Sequence, residues 1–321
     1  MQPKVFVSRM IPEAGLNIVR AACQAAIWPD LMPPPYKTLC EHVRGVEGLL
    51  CTLNDRIDSG LMDAAGKQLK VISQMAVGYD NIDVKAAHAR GIAIGNTPGV
   101  LTDATADLAF ALLLAAARRI VEGVAYINYG QWQTWDPKAL LGGDLSGATL
   151  GIIGLGRIGQ AVARRAGGFN MRILAYSPRC TVEQATSVNA QLVTFDEVLR
   201  EADYLSIHVP LNAQTRGMIN NEALAKMKRS AILINTARGP IVDQAALFEA
   251  IKSGLIGGAA LDVTDPEPMA VNDPLLTLPN VIVVPHIGSA SKQTRDKMAT
   301  MAAENLIAGV NGRPLPNAVQ I

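Results

Sequence analysis

Several things are scarce in this 321-residue chain, and each scarcity excludes a class of protein. It has four cysteines, Cys23, Cys40, Cys51 and Cys180, none in C-x-x-C spacing and none beside clustered histidines. A disulfide framework or thiolate metal site is therefore not expected, and the thiols read as reduced and structural. The four histidines, His42, His88, His208 and His286, lie far apart, so no metal centre is expected. Charge of one sign is also missing. With 29 Lys and Arg against 28 Asp and Glu, a net charge of +1 and no basic run, the chain carries no electrostatic footprint for nucleic acid or an anionic membrane. The longest apolar run, Leu108 to Ala117, lies between Asp107 and Arg118 and is half the ~20 residues that a membrane span needs. The N-terminus has no basic region followed by an apolar one, which leads us to expect a cytoplasmic protein.

What is present is alternation. Strand-like runs and helical patterns succeed each other throughout, the pattern of parallel sheets joined by helical crossovers, and the length suits about two domains. In 149–159, TLGIIGLGRIG, an apolar strand runs into Gly154, Gly156 and Gly159, spaced G-x-G-x-x-G, and then into a helix; a second strand, 171–176, completes a βαβ unit. Gly154 suits a tight turn, Gly156 a close backbone approach to a pyrophosphate, and Gly159 close packing of helix on sheet. Backbone N–H groups and the helix dipole then hold the phosphate charge. After the second strand, where an acid would bind the ribose hydroxyls of NAD, the chain reads Ser177-Pro178-Arg179. A hydroxyl and a guanidinium suit a 2′-phosphate, so NADP(H) is expected to be preferred and NAD(H) to be the weaker alternative. Six strands are expected after a helix at 104–119: 149–153, 171–176, 204–209, 231–235, 258–263 and 281–284. Before it, 4–8, 48–52, 70–74 and 92–94 are expected to form a smaller βα domain. The segment 291–310 reads as a packed helix using Met298, Met301, Leu306 and Ile307.

Three segments place polar residues just beyond strands, where ligands of doubly wound sheets bind: INTARGPIVD, LDVTDPEP and VVPHIGSAS, offering Arg238, Glu267 and His286. Reduction of a 2-oxo acid needs a cation for the carboxylate, an acid to protonate the carbonyl oxygen, and a carboxylate that favours that acid's charged form. Arg, His and Glu fill those roles. Taken singly, each also suits a surface contact or a solvated turn. His208, ending its strand beside the expected cofactor cleft, reads as structural, with Val209 and Pro210 facing the cofactor.

These segments, together with VGYDNID at 77–83, resemble the D-isomer-specific 2-hydroxyacid dehydrogenase family over nearly the whole chain. The stretch NTPGVLTDATADLA and the Ser-Pro-Arg loop are most similar to the branch of NADP-linked glyoxylate and hydroxypyruvate reductases, which includes 2-ketogluconate-reducing enzymes. The resemblance implies an α/β fold: a doubly wound parallel-sheet Rossmann cofactor domain at 100–286, and a smaller flavodoxin-like substrate domain assembled from 1–99 and 287–321. It implies that Arg238 binds substrate, His286 donates the proton, Glu267 pairs with His286, and backbone N–H groups of Val77 and Gly78 hold the carboxylate. Cofactor contacts are implied along Gly154, Leu155, Gly156, Arg157, Ile158 and Gly159, then at Ser177, Pro178, Arg179, Val209, Pro210, Thr215, Thr236, Ala237, Asp262, His286 and Gly288. A homodimer through the cofactor domain is implied as well. One departure stands out: animal members of the branch carry a substrate-site Trp where this chain has Ala139, so a larger 2-oxo acid such as 2-ketogluconate is the alternative substrate. A cofactor-sensing corepressor-like protein is the alternative from another class.

Overall fold

The computed structural model describes residues 2–320, which fold as two compact units. The smaller comprises the residues up to Leu101 and those from Ser289 onward; the larger is Thr102–Gly288.

The smaller unit is built from β1 (Lys4–Val7), α1 (Glu13–Ala22), β2 (Gln24–Ile27), α2 (Tyr36–His42), β3 (Gly48–Cys51), α3 (Ser59–Ala65), β4 (Val71–Gln74), α4 (Val84–Ala89) and β5 (Ala93–Gly95). Its five parallel strands run in the order β2-β1-β3-β4-β5. Every residue of β3 and β4 is buried, as expected of central parallel strands covered on both faces. Phe6, Leu39, Leu49, Leu61 and Ile72 fill one side of this core.

The larger unit contains α5 (Thr102–Ala117), α6 (Ile120–Asn128), β6 (Thr149–Ile153), α7 (Arg157–Gly167), β7 (Arg172–Tyr176), α8 (Val182–Thr186), β8 (Ala190–Leu192), α9 (Phe195–Glu201), β9 (Tyr204–Ile207), α10 (Asn221–Lys226), β10 (Ile232–Asn235), α11 (Gln244–Lys252), β11 (Gly258–Leu261) and β12 (Val281–Val283). All pairings are parallel, in the order β12-β11-β10-β9-β6-β7-β8. The chain crosses in one direction from β6 to β7 and β8, then returns to lay β9 on the other side of β6. The fold is thus doubly wound, with its switch point between β6 and β9. The last helix, α12 (Lys292–Val310), belongs to the smaller unit and buries Met298 and Leu306, while Met301 and Ile307 are only partly covered.

Two strands were not foreseen. The larger sheet has seven strands rather than six because β8 joins its edge, and β2 edges the smaller sheet. Both are short and partly exposed, so neither carries the apolar run that reveals a buried strand. Strands β9 and β11 end at Ile207 and Leu261, earlier than the sequence pattern implied, which leaves His208, Val209 and Asp262 in the loops beyond the sheet.

Candidate active site

The first turn of the site lies between β6 and α7. Gly154 has φ of +95°, a conformation that L side chains rarely adopt; a Cβ there would also stand 2.7 Å from Val209 Cγ1 and 2.8 Å from the His208 carbonyl carbon. A Cβ on Gly159 would strike the Gly154 carbonyl, so only glycine lets α7 begin this close to β6. At Gly156, by contrast, a Cβ would meet nothing within 4 Å. Gly156 caps α7 with no side-chain hydrogen bond, so the first N–H groups of the helix, at Arg157 and Ile158, have no side-chain cap. Leu155 is buried beneath the turn, and its carbonyl accepts from Gln160 Nε2.

Ser177 and Pro178, beyond β7, line a cavity of about 460 Å³ with Leu192, Val193 and Glu197, while Arg179 is exposed beside it. The Glu197 carboxylate is held by the backbone N–H and hydroxyl of Thr194 at 2.8 and 2.7 Å, and these bonds keep its carboxyl below the usual range. The lining of this cavity therefore includes an anionic side chain. In the loop after β9, Pro210 and Thr215 are tied by the Thr215 hydroxyl, which donates to the Pro210 carbonyl at 2.7 Å. His208 bonds Ser206 Oγ through Nε2 at 2.8 Å, and burial pushes its imidazole down to about 4, so it is neutral near pH 7.

The loops after β10, β11 and β12 carry the remaining groups. Asn235, buried at the end of β10, grips the backbone on both sides of the turn: its Oδ1 accepts from the Ala237 N–H at 3.0 Å, and its Nδ2 donates to the Arg238 carbonyl at 2.9 Å. Its side chain thus fixes the direction in which Arg238 leaves the sheet. Sequence reading missed Asn235; the available signal was a polar residue closing the apolar strand ILIN. Thr236 Oγ1 is buried without a hydrogen-bond partner among the described residues.

His286 Nδ1 lies 2.5 Å from Glu267 Oε1, with both side chains partly exposed. His286 has φ of +52°, a left-handed conformation disfavoured for a side chain of its size. What holds it there is Asp262. The Asp262 carbonyl accepts from the His286 N–H at 2.9 Å, and its buried carboxylate accepts from the N–H groups of Ile287 and Gly288 at 2.6 and 2.8 Å. Burial raises the Asp262 carboxyl above its ordinary value, and the two backbone donors oppose that rise. Arg238, Glu267 and His286 thus leave the C-terminal ends of three neighbouring strands, the side on which doubly wound sheets bind ligands.

The donor set suits a dinucleotide: an open glycine at a helix N-terminus for phosphate, an orphaned buried hydroxyl at Thr236, and a cavity beyond β7. Residues 110–288 match the model of the NAD binding domain of D-isomer specific 2-hydroxyacid dehydrogenases, which indicates a nicotinamide cofactor. A glyoxylate reductase of Korarchaeum cryptofilum is 51% identical over 320 residues, covering 99% of this chain and 96% of that protein. The crystal structure of a Thermus thermophilus protein superposes with a TM-score of 0.93 at 48% identity, covering 99% and 100% of the two chains. An NADPH-dependent glyoxylate/hydroxypyruvate reductase of Sinorhizobium meliloti, solved with NADP and malonate, gives 0.86 at 31% identity, covering 99% and 97%. The chain belongs to the D-isomer-specific 2-hydroxyacid dehydrogenase family and is an oxidoreductase. Among the described residues no cluster of potential metal ligands occurs, and no helix is long and apolar enough to cross a membrane.

Proposed function

We propose that this protein reduces small 2-oxo acids, glyoxylate and hydroxypyruvate, to 2-hydroxy acids of D configuration where the product is chiral, with NADPH as preferred reductant. The observation that carries the reading is the His286–Glu267 pair, on loops that follow β11 and β12. Relatives named glyoxylate reductase and the NADPH-dependent Sinorhizobium neighbour support the substrate class.

When bound, the reduced nicotinamide supplies the hydride. The chain supplies the rest. The His286 Nδ1–H donates to Glu267, which orients the ring and leaves its other nitrogen, Nε2, to deliver the proton to the carbonyl oxygen. Arg238, aimed by Asn235, offers a planar fork to the substrate carboxylate and carbonyl; in the smaller unit, the N–H groups of Val77 and Gly78 are the carboxylate donors we propose. Gly154 through Gly159 would hold the pyrophosphate, and Val209, Pro210 and Thr215 would also contact the cofactor. Thr236, Ala237, Asp262 and Gly288 adjoin the nicotinamide end. Ser177, Pro178 and Arg179 take the 2′-phosphate. Glu197, which also lines the cavity, disfavours that charge, so Arg179 must outweigh it.

We assign a homodimer formed through the larger unit. None of the residues of α6 is buried, and Ile120, Val121, Val124 and Ile127 expose more than half their surface, continuing into exposed Tyr129, Trp132, Trp135 and Leu141. A second copy would cover an apolar surface of this extent, and sedimentation equilibrium reads the mass directly. We also propose a cytoplasmic location, which the four free cysteines support.

The test is NADPH and NADH oxidation measured side by side with glyoxylate, hydroxypyruvate, pyruvate and 2-ketogluconate. Turnover of the small acids with NADPH, lowered two to four orders of magnitude by His286→Ala while cofactor affinity holds, is expected. Turnover of 2-ketogluconate alone would move the assignment to larger acids. Cofactor binding without turnover of any acid would refute an enzyme of this specificity.

A further inference from the structure

We propose that Asn96 and Gln74 are positioning residues that aim a run of three backbone N–H groups, those of Val77, Gly78 and Tyr79, at the substrate carboxylate. The inference rests on the proposed role of Val77 and Gly78 and adds Tyr79 and the machinery behind all three.

The argument is one of peptide geometry. The only cis peptide bonds among the described residues are at Pro266 and Pro268, so the three units joining Ala76 to Tyr79 are trans, with N–H and C=O pointing in opposite directions. Each of their carbonyls is tied back. Ala76 O accepts from the Thr97 N–H at 2.9 Å, Val77 O from Asn96 Nδ2 at 2.8 Å, and Gly78 O from Gln74 Nε2 at 3.2 Å. The N–H groups of Val77, Gly78 and Tyr79 therefore face away from these anchors, and none donates to another described residue. Consecutive outward N–H groups form an anion-binding concavity without a desolvated cation.

The anchors are themselves immobilised. Asn96 donates its N–H to the Asn317 carbonyl at 3.1 Å, and its own carbonyl accepts from Asn305 Nδ2 at 2.9 Å. Asn305 is fully buried in α12, and its Oδ1 accepts from the Asn317 N–H at 3.0 Å. Gln74, also fully buried, donates to Asn81 Oδ1 at 2.8 Å and accepts from Cys51 Sγ at 3.0 Å. Asn81 in turn donates to the carbonyls of Thr52 and Asp55 at 3.1 and 2.8 Å. Satisfied buried polar networks of this kind fix one loop conformation.

The test compares glyoxylate with its uncharged methyl ester in the full-length wild type, Asn96→Ser, Asn96→Asp and Arg238→Gln. Wild type is expected to favour the acid. Asn96→Ser, losing one positioning bond, is expected to raise KM for the acid about five- to tenfold, with kcat, ester KM and cofactor affinity within about twofold. Asn96→Asp keeps the side chain's size but sets an acceptor against Val77 O. Its acid KM is expected to rise further at pH 7.5 and to recover as the pH falls toward 5, where a protonated carboxyl can donate again; a merely structural defect would not recover. If Arg238→Gln retains no preference for acid over ester, the loop does not hold the carboxylate and the underlying reading fails. If that preference persists while both Asn96 variants keep the wild-type acid KM, the positioning role alone is overturned.

Discussion

Asp262→Asn tests whether the loop that carries His286 is held as the geometry indicates. The native carboxylate accepts two backbone N–H bonds, from Ile287 and Gly288, both short. An amide of the same shape has one acceptor oxygen, so one N–H keeps its partner and the other faces an NH₂ group. Losing a bond to a charged acceptor costs about 1.5–3 kcal/mol, and a buried donor left unpaired costs about 1–3 kcal/mol more. Burial raises the Asp262 carboxyl, which means the ion is held at a desolvation cost that the neutral amide escapes. The net expectation is a loss of about 3 kcal/mol, which for a domain of this size lowers Tm by about 6–12 °C. Function should suffer more than stability. His286 sits in a left-handed conformation that this loop maintains, and a displacement of about 1 Å at the proposed proton donor would cost about 100-fold in rate. Scanning calorimetry through the unfolding transition, and glyoxylate turnover at a temperature where the variant is fully folded, read the two effects separately. An Asp262→Asn protein with wild-type Tm and wild-type kcat would refute the reasoning, because it would show that the carboxylate does not hold the loop.

Two further perturbations test the cofactor half. Replacing Ser177 with Asp places a second carboxylate in the cavity that Glu197 already lines, and should shift the NADPH/NADH ratio of kcat/KM toward NADH by about tenfold or more; an unchanged ratio would remove the 2′-phosphate from this site. His208 titrates at about 4 in the fold against an ordinary value of 6.5, so the unfolded chain binds the proton more readily. That contribution to stability is complete above pH 6.5 and is lost as the pH falls toward 4; at ~1.4 kcal/mol per pH unit it amounts to about 3 kcal/mol. Urea unfolding of the wild type and His208→Asn should therefore converge on acidification across that window, and parallel curves would show that the imidazole is not desolvated.

How much of this protein could be read from the chain alone depends on the range of the interactions involved. The nucleotide turn was legible because its requirements are local: Gly154, Gly156 and Gly159 answer to a positive φ, an open approach and a close helix, all within six residues. The doubly wound order followed from alternation of strand and helix, since central strands buried on both faces must be apolar. Short edge strands such as β2 and β8 escaped for the converse reason: half exposed, they need no apolar run. Arg238, Glu267 and His286 were visible as polar residues at strand ends, yet their spacing could not show that His286 and Glu267 meet, because the residues between them are a loop and a strand whose course only packing decides. Tertiary structure alone gave Asp262 its grip on the His286 loop, Asn235 its hold on Arg238, and Asn96 its place between the Val77 carbonyl and Asn305, 209 residues away. Such side-chain to backbone bonds join distant segments, and no periodicity in the chain announces them. Sequence determined which elements form and which ends they offer to a ligand; the tertiary fold decided which polar groups hold those ends still.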